Sequence, residues 1–187
     1  LPLRRARRDR AGFTLIELLV TLSIIGLLTA ILYANFDEAR KQSRDKTRLS
    51  ALKEVQLAIE QYKAQVGSYP LAGCGATTAQ FAGPGTASAS GLISCASGNT
   101  NFYITGLAPN YIVKLPFDPK FEFVANKGFY YRSDGVSYKL MLYDVVESLT
   151  VTSFANEYAR CPSATGACSG GVPATTYAVY SIGAEGW

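Results

Sequence analysis

Phe13 to Tyr33 is a run of 21 residues in which Glu17 carries the only charge. As a helix rising 1.5 Å per residue, such a run spans roughly 30 Å, enough to cross a bilayer. No other stretch constrains the chain as strongly. A carboxylate inside hydrocarbon costs roughly 2.5–3.5 kcal/mol on insertion scales, so Glu17 needs a reason to be there. Five arginines lie just upstream, Arg4, Arg5, Arg7, Arg8 and Arg10, opposed only by Asp9. Under the positive-inside rule this basic head stays cytoplasmic, and the chain beyond the apolar run lies outside.

The net charge of +4 is carried by that head. Removing its five arginines and Asp9 from the 18 basic and 14 acidic side chains leaves 13 of each. A neutral remainder gives no support to a nucleic-acid surface or a DNA-uptake fibre. The chain has no histidine, which removes the commonest general base and the commonest metal ligand. It also lacks GxSxG, HExxH and Walker sequences, so no enzyme is expected. No cofactor is expected either.

An ordinary secretory signal places small residues after its apolar core. Here Ala11 and Gly12 come before it. A cut after Gly12 removes the basic head, keeps the apolar helix, and leaves Glu17 fifth from a new amino terminus on Phe13. The basic leader ending in Gly12 and the adjoining "FTLIELLV" resemble the prepilin leader of type IV pilins and type II secretion pseudopilins. That resemblance implies cleavage between Gly12 and Phe13 by a prepilin peptidase, which also methylates the new amine and keeps its positive charge. It implies an assembly role for Glu17, pairing with the Phe13 amine of a neighbouring subunit. It further implies an inner-membrane assembly platform as partner, residence in the inner membrane before assembly, and a helical filament of pilin subunits outside the cell afterwards. Many family members carry a proline eight residues after the glycine at position 26. This chain has Ala34 there, which removes the basis for expecting local melting of the helix.

From Asn35 the sequence turns polar without Gly or Pro until Gly67 and Pro70. Leu52, Val55, Ile59, Tyr62 and Val66 recur at helical spacing and predict one apolar stripe lying on the domain's own sheet. The charge-rich stretch from Asp37 to Arg48 reads as a solvated face. Gly67 and Pro70 stop the helix. The "YKAQVGSYP" ending resembles the family as well. Residues 71–101, rich in Gly, Ala, Ser and Thr, read as a long loop. "GLAPNYIVKLPFDP", 106–119, resembles a segment of the pseudopilin branch. "KGFYYRSDGVSYKLMLY" predicts a hairpin about Asp134-Gly135, and "TTYAVYSIG" a further strand.

Four cysteines at 74, 95, 161 and 168 lie beyond the apolar run. An even count outside the cytoplasm predicts two disulfides, and the spacings lack a zinc knuckle. Three pairings exist. Close spacing favours Cys74–Cys95, tethering the long loop, and Cys161–Cys168. Asp118, Glu122 and Asp134 read as turn and solvated-edge residues. "SIGAEGW" offers only Glu185 towards the acidic calcium loop of some pseudopilins, and no metal site is assigned.

The expected fold is α+β. A long N-terminal helix packs its C-terminal half on a small antiparallel sheet of three or four strands, with disulfide-tethered loops. The organisation expected is a cleaved leader, 1–12, an apolar helix, 13–34, and an extracytoplasmic domain, 35–187, with helix 35–66, loop 71–101 and the sheet from about 102. The expected function is a structural subunit of a type IV pilus-like filament. The alternatives are a pseudopilin of a type II secretion system and a monomeric membrane-anchored binding domain.

Overall fold

The computed structural model describes residues 12–84, 89–95, 102–120 and 126–187. The leader arginines, Glu122 and parts of the expected long loop lie outside the described residues. One helix, α1, runs Leu15–Val66. Two compact units share it: residues up to Arg40, and Lys41–Trp187.

In the first unit α1 has no core to lie on. Leu15, Ile16, Leu19, Leu22, Ile25, Leu28 and Ile31 are all exposed. An 18-residue window here reaches a mean hydropathy of 2.5, so the segment is long and apolar enough to cross a membrane.

In the second unit the rest of α1 meets a five-stranded sheet. The strands are β1 (Phe81–Gly83), β2 (Leu92–Ser94), β3 (Gly128–Ser133), β4 (Tyr138–Tyr143) and β5 (Tyr177–Tyr180). Their order is β2-β1-β3-β4-β5. β3 and β4 pair antiparallel from Gly128↔Tyr143 to Ser133↔Tyr138. β4 and β5 are also antiparallel, as are β1 and β3, but β1 and β2 run parallel. The sheet is therefore mixed and has five strands, in place of the expected antiparallel sheet of three or four. The extra strands come from the stretch that reads as a loop. At three residues each, "FAG" and "LIS" are too short for an alternating pattern to register.

Alternation along the strands gives the sheet two different faces. Phe129, Tyr131, Tyr138, Leu140, Leu142, Tyr177 and Val179 form one core with Leu52, Val55 and Ile59 of α1. Phe81, Tyr130, Met141 and Ala178 form a second cluster on the other face, bordered by Leu92, Tyr143, Tyr180 and Trp187. Both faces of β4 are thus covered, and this strand is buried almost throughout. The apolar stripe of α1 fades at its end: Tyr62 is half-buried and Val66 exposed.

The helix ends at Gly67, whose φ of +89° is left-handed and whose N–H donates to Lys63 O at 2.8 Å. A side chain at that φ is strained. Gly73 is needed for a different reason: a Cβ there would lie 1.6 Å from the carbonyl oxygen of Phe102. β3 and β4 are joined by Asp134 to Ser137. The Asp134 Oδ1 accepts the N–H groups of Val136 and Ser137, and Gly135 has φ +86°. Disulfides join Cys74 to Cys95, S–S 2.02 Å, and Cys161 to Cys168, S–S 2.17 Å.

The charged part of α1 is not wholly a solvated face. Asp45 and Arg48 are buried, and so is Asp118, in contrast to its expected place at a turn or edge. The Arg48 guanidinium donates to Asp118 Oδ2 at 2.6 Å and Oδ1 at 3.0 Å, to Asp45 Oδ1 at 2.8 Å and to Glu147 Oε1 at 2.9 Å. Asp45 Oδ2 also accepts the N–H groups of Ser148 and Leu149. Arg44 grips Glu147 with two bonds of 2.7 Å. Arg44 first, then Lys120 and Arg48, hold the Glu147 carboxyl well below the usual carboxylate range. This network ties the helix to the 115–119 segment and to the loop after β4.

Candidate functional site

Thr14 is the residue before α1, and Glu17 lies three positions on. The Glu17 Oε2 accepts the Thr14 N–H at 2.8 Å and the Thr14 hydroxyl at 2.7 Å. The Glu17 N–H in turn faces Thr14 Oγ1 at 3.3 Å. This is a capping box, in which an N-cap hydroxyl and an acid three residues on satisfy each other's backbone donors. The sequence carries its signal, T-x-x-E, in "FTLIE", but the prepilin-like reading of the leader passes over Thr14.

The remaining polar side chains of this segment are satisfied within the helix. Thr21 Oγ1 donates to Leu18 O, Ser23 Oγ to Leu19 O and Thr29 Oγ1 to Ile25 O, all at 2.7–2.9 Å. Such back-bonding suits a segment with no water around it. Glu17 differs from them, because its Oε1 accepts no hydrogen bond among the described residues. The carboxylate lies on an open surface with Phe13, Ile16, Val20 and Thr21 that is otherwise almost entirely apolar. Phe13 is 90 % exposed. The head of the helix thus presents an apolar ledge with one half-used carboxylate.

Gly12, Phe13 and Glu17 fall together because they are near neighbours in sequence. The cysteines lie in the other unit and take no part in this site. The acidic residues that invited a cation-site reading are not gathered. Asp118 is bound by Arg48, Asp134 closes its own turn, and Glu185 Oε2 accepts the Gly183 N–H. Among the described residues no three His, Cys, Asp or Glu side chains converge as metal ligands.

Comparison with known proteins points to the same end of the chain. Residues 7–33 match the family model described as the prokaryotic N-terminal methylation motif. The chain is similar to the type IV wide pilus major component PilA4 of Thermus thermophilus, at 39% identity over 62 residues. That match covers 33% of this chain and 47% of the relative, so it spans about half the relative's length. No solved structure matches the chain.

Proposed function

We infer that this chain, type IV pilin-like by its methylation motif and its similarity to a pilus component, is a structural subunit that polymerises through α1. Prepilin peptidase cuts between Gly12 and Phe13 and methylates the Phe13 amine. The mature chain waits in the inner membrane until an assembly platform adds it to a type IV pilus-like filament outside the cell.

The observation that carries this reading is the open oxygen of Glu17 on an otherwise self-satisfied apolar helix. Oε2 serves the capping box, which orders the first turn. Oε1 remains for a cation brought by another subunit, and the methylated Phe13 amine is the cation that processing creates. A pair of this kind adds little net stability, because both charges are stripped of water. Its effect is on register: a subunit out of place leaves a charge unpaired in an apolar surrounding, at a cost of several kcal/mol.

The variant Glu17→Ala tests the pairing. It should be cleaved normally and accumulate in the membrane, with few or no filaments in sheared surface material under electron microscopy. Gly12→Leu should leave the leader attached and also fail to assemble. Wild-type filament yield from Glu17→Ala removes this role for the carboxylate. Mass spectrometry of native material should find Phe13 at the amino terminus with one added methyl group.

A second reading, a pseudopilin of a type II secretion system, is favoured by the "LPFDP" stretch at 115–119, which resembles that branch. It uses the same helix and the same carboxylate. Long surface filaments labelled by antibody to the globular unit favour the pilus; secretion defects without filaments favour the pseudopilin.

A further inference from the structure

The face of the sheet turned away from α1 holds a cavity of about 220 Å³. Among the described residues, Phe81 of β1, Ser90, Leu92 of β2, Arg132 of β3, Tyr143 of β4 and Arg160 line it, and none of the described lining residues is an acid.

Neither arginine makes an ion pair among the described residues, although Asp134 acts on Arg132 from farther off. The Arg132 guanidinium stacks on the Trp187 ring at 4.0 Å and lies 5.7 Å from the Phe81 ring. Its only hydrogen bond among the described residues runs from Nε to Thr78 O at 2.7 Å, so neither Nη group has a partner there. Arg160 precedes the buried Cys161 of the second disulfide and packs over Tyr143 at 5.5 Å. Its Nε is buried and has no hydrogen-bond partner. The Tyr130 hydroxyl is likewise buried and unpartnered, with its ring 6.2 Å from that of Tyr143.

A third cation stands on the same face. Lys139 Nζ is buried and donates to the main-chain oxygens of Glu185 and Trp187 at 2.9 Å. Burial first, and then Arg160 and Arg132, pull its pKa down to about 7, against the opposing pull of Glu185. Burial also lowers both guanidiniums from their ordinary value. Among the described residues, two acids act on these three buried or half-buried cations, Glu185 on Lys139 and Asp134 on Arg132. Buried donors without partners normally mark a missing ligand or water.

We propose that this cavity binds a small oxyanion, held by the forked N–H groups of Arg132 and Arg160. Phosphate, sulfate and carboxylate share the geometry that a guanidinium fork matches. The group can come as a free inorganic ion or as the acid of a sugar. None of its described residues belongs to the first unit.

Trp187 is the chain's only tryptophan and touches Arg132, so its fluorescence reports on the site. The chain in detergent micelles is titrated with sodium sulfate, sodium phosphate or sodium glucuronate, with sodium chloride keeping ionic strength constant. A saturating change in emission and a rise in thermal midpoint are expected with at least one of these. Saturation by sulfate or phosphate alone identifies a free inorganic ion. Tighter binding of glucuronate identifies an acidic sugar. Arg160→Gln, which leaves the Arg132 that stacks on Trp187, should keep the starting spectrum and weaken binding at least tenfold. Ser90 is exposed at the cavity. Ser90→Asp should abolish binding without affecting the fold, and it decides the matter if Arg160→Gln is unstable. The proposal is overturned if emission follows ionic strength without saturating, or if both variants titrate like the parent.

Discussion

Glu17 and Lys139 are both costly residues, and each is placed by contacts with the backbone. Glu17 is held by Thr14, at the head of its own helix. Lys139 sits under the sheet's outer cluster, held by two main-chain oxygens. Its consequence is a pH dependence. Burial pulls the pKa of the native Lys139 down to about 7, well below the unfolded value of about 10.5. Between those values the unfolded chain binds more protons, so stability rises with pH across that window and is lowest below it. Denaturant unfolding of the chain from about pH 6 to about pH 9 should show that rise. Lys139→Met should flatten it and stabilise the fold most at the acid end. The upper limit of the range keeps clear of Tyr131 and Tyr138, whose ionisation burial pushes far up.

At the scale of elements, the join between α1 and the rest of its unit is both greasy and charged. Leu52, Val55 and Ile59 supply the first kind of contact, and the Arg48 network the second. Replacing Arg48 by Met leaves Asp118, Asp45 and Glu147 crowded without their cation. Breaking a buried ionic cluster from one side costs about 3–5 kcal/mol. The denaturation midpoint should fall accordingly, while Asp118→Asn, which keeps an acceptor, should cost less. The apolar half of this join is readable from helical spacing. The charged half is not, because Arg48 finds Asp118 and Glu147 at 70 and 99 residues' distance in sequence. A run of charges with remote partners looks the same on the page as one that faces water. β1 and β2 are hidden for another reason: strands of three residues survive on their neighbours' hydrogen bonds rather than on their own pattern. The membrane-length run and its capping box, by contrast, are local in sequence, and local features are the ones a sequence displays.

At the scale of the molecule, the two disulfides close loops of different length in the same unit. In the chain-entropy view, Cys74–Cys95 contributes about 3 kcal/mol and Cys161–Cys168 about 2.5 kcal/mol. Peptide mapping without reduction should recover these two pairs. The Cys74→Ser/Cys95→Ser variant should lose more unfolding free energy than Cys161→Ser/Cys168→Ser, and a reversed order would show that loop closure is not the main contribution. The sheet they brace has a further property. Chains packed at high local concentration run the risk that exposed strand edges zip together into amyloid. Here β2, at one border, is three residues long and runs directly into the bridged Cys95. At the other border the N–H of Ala178 in β5 is already taken by Tyr158 O at 2.9 Å. Neither border offers a long bare ladder to a neighbour, so these globular units can crowd side by side with little tendency to fuse.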